Sequence, residues 1–119
     1  MIAQLAPADF NAWRDSLAAY APPPLLLDVR EPWEVQTASV QPEDGFTLLS
    51  IPMREVPARL AQLQQELPTD QPVACLCHHG MRSLQVANYL EQNGFTQVVN
   101  LQGGIDAWAK QRDPSVPLY

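Results

Sequence analysis

The chain reads as an α/β domain built on a parallel sheet. Three observations predict it: short apolar runs, helical patterns placed between them, and polar residues gathered where the runs end. The runs are "LLLDV" (25–29), "TLLSI" (47–51), "VACLC" (73–77) and "VVNL" (98–101), with a weaker one at "IAQL" (2–5). Runs of four or five residues without polar alternation are what strands covered on both faces look like. Strands alternating with helices imply right-handed parallel crossovers and helices on both sides of the sheet.

The helices follow in order. Phe10, Trp13 and Leu17 recur at helical spacing after Pro7, and the prolines at 22–24 stop that segment. Leu60, Leu63 and Leu67 do the same between Pro57, suited to a first turn, and Pro68. Ser83, Val86, Ala87 and Leu90 share one face, and Gly94 closes that helix in a left-handed cap. Ile105, Trp108 and Ala109 follow the glycine pair at 103–104 and predict a last helix, the glycines letting helix and sheet approach closely. Most of the twelve prolines fall at segment edges and form no low-complexity linker.

With 119 residues, the chain is read as one domain, 1–119, long enough for a core without disulfide or metal staples. A hydrophobic fraction of 46% against 17% charged residues excludes the disordered class. The net charge of −6 argues against nucleic acid or anionic membranes as partners. No signal peptide or apolar span of membrane length is seen, and two cysteines in C-x-C spacing imply no disulfide framework. A cytoplasmic, reducing location is expected.

In parallel sheets ligands gather outside the carboxyl ends of the strands. Two polar segments lie there: "DVREPWE" after the first strong run and "CHHGMRS" after the third. The second has the order strand, cysteine, glycine-containing loop, arginine, helix. A helix start presents unpaired amides and partial positive charge, and a glycine turn feeding it can aim further amides inward as an anion nest. Such a cradle, with Arg82 beside it, favours the thiolate of Cys77 and makes it a nucleophile for an anionic or electrophilic substrate. Arg82 offers a planar fork suited to an oxyanion, and Gly80 leaves room near the sulfur. Ser83 can cap the helix or donate into the cradle; His78 and His79 add titrating donors.

Cys75 lies within the strand and reads as core. Cys75, Cys77, His78 and His79 are all zinc-ligand types, but adjacent histidines after a C-x-C do not converge tetrahedrally, so no metal is expected. Asp28, Arg30, Glu31 and Glu34 fall at the neighbouring strand end, where an ion-paired network bracing the two loops is expected more than direct catalysis. Trp33 and Met81 are candidates for the pocket rim.

These motifs resemble the rhodanese family. "CHHGMRS" is similar to its active loop, "LLLDVREPWE" (25–34) to its strand and D-x-R-E-x-x-E segment, and "VVNLQGGIDAW" (98–108) to its closing V-x-x-L-x-G-G-x-x-x-W signature. "IPMREVPARL" (51–60) resembles the piece between. The resemblance implies a three-layer fold, a five-stranded parallel sheet flanked by helices on both faces. It implies that Cys77 takes sulfane sulfur as a persulfide from a donor such as thiosulfate. The persulfide passes to cyanide, a cellular thiol or a protein acceptor, cradled by the backbone of residues 78 to 82. No organic cofactor or metal is implied. One departure stands out: residues 35–46 lack the family's G-H-I-x-G-A stretch, so an altered connection is expected there.

Two other function classes compete. A cysteine-dependent phosphatase or arsenate reductase uses C-x5-R, one residue longer than the spacing from Cys77 to Arg82. A persulfide carrier or regulatory binding module with little turnover would keep the fold, though loss of the cysteine is its usual mark.

Overall fold

The computed structural model describes residues 1–19 and 22–119. Five parallel strands, β1 (Ala3–Leu5), β2 (Leu25–Asp28), β3 (Thr47–Ser50), β4 (Val73–Leu76) and β5 (Val98–Leu101), form one sheet in the order β1-β5-β4-β2-β3. Five helices accompany them: α1 (Phe10–Ser16), α2 (Pro32–Thr37), α3 (Val56–Glu66), α4 (Met81–Gln92) and α5 (Gly104–Gln111).

Alternating side chains of the strands feed two cores, one on each face, as the pleat requires. Leu25, Leu27, Val73 and Cys75 join Val56 and Leu63 of α3 and Val86, Ala87 and Leu90 of α4. Leu26, Ala74 and Leu76 join Phe10 of α1 and Ile105 and Trp108 of α5. Phe10 is the hinge of the second core, with edge contacts to Phe46 and Trp108 at centroid distances of 5.1 and 4.9 Å. Gly94, at φ 100°, ends α4, and the Phe95 N–H returns to Leu90 O at 3.1 Å, the six-to-one bond of a Schellman cap.

The strand over 47–51 departs from expectation. Its apolar run predicts burial on both faces, yet β3 is a sheet edge paired only with β2, and Thr47, Leu48 and Ser50 are exposed. Ile51, just beyond the strand, is the residue that enters the core. Composition cannot separate an edge strand from a central one, because pairing partners are chosen by topology. A second addition is α2, whose proline at the first helical turn lies in the polar segment 28–34.

The altered 35–46 segment is well anchored. Ala38, Val40 and Phe46 pack into the second core, while Glu43 takes both Arg112 Nη atoms at 2.7 Å. Arg112 in turn lies over the Trp108 ring at 4.3 Å, so the segment is tied to α5. No helix among the described residues is long and apolar enough to cross a membrane.

Candidate active site

β4 and β2 are neighbours, so the segments leaving their carboxyl ends lie side by side. Cys77 follows β4 directly, His78 to Gly80 turn the chain, and Met81 opens α4. Gly80 is the N-cap residue at φ 102°, a conformation in which a side chain is strained. The Gly80 N–H donates to Cys77 Sγ at 3.0 Å, and Ser83 Oγ lies 3.2 Å from the same sulfur. Ser83 is thus inside the first helical turn and faces the sulfur; it is not the cap.

The start of α5 holds two of the loop carbonyls. The Ile105 N–H donates to Cys77 O at 2.8 Å and the Asp106 N–H to His78 O at 3.2 Å. With those carbonyls drawn outward onto a helix start, the following amides point the other way. Of the glycine pair, Gly104 serves this contact, whereas a Cβ on Gly103 would meet Ala107 of α5. A Cβ on Gly104 would run into the carbonyl oxygens of both Cys77 and His78. Cys77 itself is only 1% exposed, so the loop encloses its sulfur closely. Cys75 is wholly buried in the first core, and burial pushes its thiol up to about 12. Both cysteines are free.

The sequence reading of Arg82 needs correction. Its fork is not open to a substrate oxyanion: Nη1 and Nη2 bind Glu34 Oε1 and Oε2 at 2.7 and 2.9 Å. Glu34, on α2, is 4% exposed, and a buried carboxylate left without a partner is costly. The Arg82 bonds hold the Glu34 carboxyl down at about 2 and the pair pushes Arg82 further up.

Asp28 and Arg30 form the adjoining part of this network. Arg30 Nε reaches Asp28 Oδ1 at 2.9 Å and Nη2 reaches Oδ2 at 2.6 Å. Arg30 Nη1 continues to Glu34 O at 3.2 Å and to the Tyr119 hydroxyl at 3.0 Å. Tyr119 donates to Glu34 Oε2 at 2.7 Å, closing the circuit, and burial pushes its phenol up to about 12. Its ring also stacks on His78 at 3.8 Å and 5°, with His79 on the other side at 3.9 Å. Glu31 pairs with Arg54 on the outside of the site. His79 is exposed, as are Trp33 and Met81 at 61% and 71%, so these three form the outer face. Among the described residues no three His, Cys, Asp or Glu side chains converge as a metal set.

Sequence reasoning passed over Tyr119 and Asn100. Asn100 is the polar member of β5, bonded to Ser83 Oγ at 2.6 Å and to Gly80 O at 3.1 Å. A lone amide in an apolar strand was the available signal. For Tyr119 there was none, since its partners Arg30 and Glu34 lie 89 and 85 residues away in the chain.

The profile of the rhodanese-like domain matches residues 12–111. The chain belongs to the rhodanese-like family. It is 38% identical over 92 residues to a sulfurtransferase of Allochromatium vinosum, covering 77% of this chain and 78% of that protein. It is 32% identical over 89 residues to the thiosulfate sulfurtransferase GlpE of Vibrio cholerae, covering 75% and 76%. Among solved structures, a rhodanese-related protein of Thermoplasma volcanium superposes with a TM-score of 0.71 at 28% identity, over 98% of this chain and 99% of the other. The chain spans only 22–30% of several longer relatives that it also matches. This rhodanese-like domain therefore has sulfurtransferases among its relatives.

Proposed function

We propose that this rhodanese-like domain is a sulfurtransferase that carries sulfane sulfur on Cys77. The observation that carries the reading is the Gly80 N–H at 3.0 Å from Cys77 Sγ, inside a loop whose carbonyls are held outward by α5. The thiolate that begins and ends each transfer is an anion on Cys77 Sγ, and an amide fixed against that sulfur stabilises it without reorganisation. Arg82, with its fork on Glu34, acts by holding the first turn of α4 to α2. His78, His79, Gly80 and Met81 shape the cradle, Ser83 contacts the sulfur, and Asp28 and Arg30 brace the neighbouring loop.

With thiosulfate as donor, the Cys77 thiolate attacks the outer sulfur. The S–S bond of thiosulfate breaks, sulfite leaves with the bonding pair, and a Cys77 persulfide remains. Cyanide or a thiolate then attacks the terminal sulfur, giving thiocyanate or a new persulfide and returning the Cys77 thiolate. Sulfur is both nucleophile and cargo, so the cycle needs no metal or organic cofactor. The four residues between Cys77 and Arg82 favour this small anion over a phosphate, whose loops enclose five. A protein thiol is a fitting acceptor, since Trp33 and Met81 expose apolar surface beside the loop. Two free cysteines suit a reducing compartment such as the cytoplasm.

Intact mass after thiosulfate treatment tests the reading. Wild type is expected to gain one sulfur and to lose it on adding cyanide, with Cys77→Ser gaining none. Equal gain by Cys77→Ser would move the chemistry to Cys75, and efficient cysteine-dependent hydrolysis of a phosphate ester would defeat the loop-length argument.

A further inference from the structure

Asn100 is 1% exposed, and a carboxamide buried among apolar neighbours is costly unless its groups are bonded. Nδ2 donates to Gly80 O at 3.1 Å and to Gln4 Oε1 at 2.9 Å; Oδ1 lies 2.6 Å from Ser83 Oγ. A peptide carbonyl can only accept, so the Gly80 bond settles which end of the carboxamide faces which way. Oδ1 therefore faces Ser83, and since Oδ1 also only accepts, the single hydroxyl hydrogen of Ser83 points to Asn100. Ser83 Oγ is at the same time 3.2 Å from Cys77 Sγ. With its hydrogen on Asn100, it presents that sulfur with a lone pair.

A lone pair suits a thiol, whose hydrogen it accepts. Against a persulfide it costs little, because the charge resides on the outer sulfur while Sγ is neutral. It does not suit a bare thiolate, which calls for a donor. We infer that Asn100 is a positioning residue that competes with Cys77 for the Ser83 hydroxyl hydrogen, favouring the thiol and the persulfide over the bare thiolate. Rotation of the hydroxyl about its C–O bond can serve the thiolate, but it leaves Oδ1 of Asn100 buried without a partner. The role in sulfur transfer rests on reading Cys77 as the persulfide carrier: bare thiolate is what sulfur release leaves behind, so Asn100 slows release and holds the cargo for an acceptor. The same Nδ2 bond to Gly80 O fixes the peptide that precedes Met81, and so the aim of the Met81 amide.

The test is the pH profile of Cys77 alkylation by iodoacetamide, with Cys77→Ser as blank. Other titratable or charged groups on the elements around the sulfur are Cys75 on β4, Asp28 on β2 with Arg30 just beyond it, Glu34 on α2, His78 and His79 in the loop, Arg82 on α4, Asp106 on α5 and Tyr119; β5 carries none. Replacing Asn100 changes none of them. In Asn100→Ala the freed hydroxyl donates to the thiolate, so the profile moves toward acid by about one pH unit, with roughly tenfold faster alkylation on the acidic limb. That displacement is expected to vanish in Asn100→Ala/Ser83→Ala. An unmoved profile, or the same displacement without Ser83, overturns the inference. Ser83→Ala alone leaves the carboxamide in place and is expected to move the profile less than Asn100→Ala does. An alkaline displacement of about one unit in Ser83→Ala would show that the wild-type hydroxyl already serves the thiolate, and overturns the inference even if Asn100→Ala does not fold. Alkylation needs no sulfur donor. An acid displacement in a protein that fails to load thiosulfate therefore supports the Asn100 assignment while defeating the sulfurtransferase reading.

Discussion

The segments leaving β4 and β2 lie side by side and are held in different ways. The Cys77 segment is held mainly through backbone groups: a glycine amide on the sulfur, two carbonyls on the start of α5, and the Gly80 carbonyl on the uncharged side chain of Asn100. The Asp28 segment is held by side chains, with Asp28, Arg30, Glu34, Arg82 and Tyr119 satisfying one another. The difference follows from what each must do. A cradle for a changing anion works best with neutral dipoles fixed in advance, since a free arginine would be drawn to whichever carboxylate lay nearby. The charges next door are matched among themselves and act as a brace.

Breaking the backbone side should have the largest effect. Gly104→Ala places a Cβ on the carbonyls of Cys77 and His78 at a position with φ of 63°. A loss of about 3 kcal/mol and at least a hundredfold drop in thiosulfate loading are expected, read by thermal melting and by mass. If Gly104→Ala loads sulfur normally, the loop is not held from α5.

Breaking the brace should cost stability more than chemistry. Glu34→Gln removes the carboxylate from Arg82 and is expected to cost about 2 kcal/mol. The pair also sets a pH dependence. The Glu34 carboxyl titrates at about 2 in the fold against 4.5 unfolded, so its stabilisation is fully present above about pH 4.5 and lost as pH falls through about 2. Melting temperature against pH should fall across that window in wild type, and the Glu34→Gln curve should be flatter there. Parallel curves would show that the Arg82 pair does not act as described.

Tyr119→Phe is a finer probe, keeping the stack on His78 while removing the hydroxyl bonds to Glu34 and Arg30. About 1 kcal/mol of stability is expected to go, with Cys77 alkylation unchanged. A large change in alkylation would show that the charged brace and the Cys77 cradle are coupled. Smallest is the effect of salt. With a net charge of −6, thiosulfate approaches against the overall field, and screening from low to physiological ionic strength should raise its loading rate by about twofold to threefold. High activity indifferent to salt would mean that the amide cradle alone governs capture.

Much of the framework was legible because it depends on local pattern. The strands at 25–28, 73–76 and 98–101, the left-handed end of α4 at Gly94 and the glycine loop after Cys77 all follow from short-range periodicity and backbone preference. The edge position of β3 was not legible, since exposure depends on which strand lies beside it. Arg82 was misread for a related reason: its spacing to Cys77 was visible, but Glu34 is 48 residues away in the chain.

By itself the sequence determined that a cysteine stands at the mouth of a glycine-containing loop between a buried strand and a helix. Residue type and short spacing suffice for that, because φ preferences and helix starts are local properties. Only the tertiary structure decided where the remaining groups point. Ile105 and Asp106 take the loop carbonyls, Glu34 takes the Arg82 fork, and Asn100 takes the Ser83 hydroxyl. Each of these is a competition for a buried hydrogen bond, won by whichever partner the sheet order brings within about 3 Å.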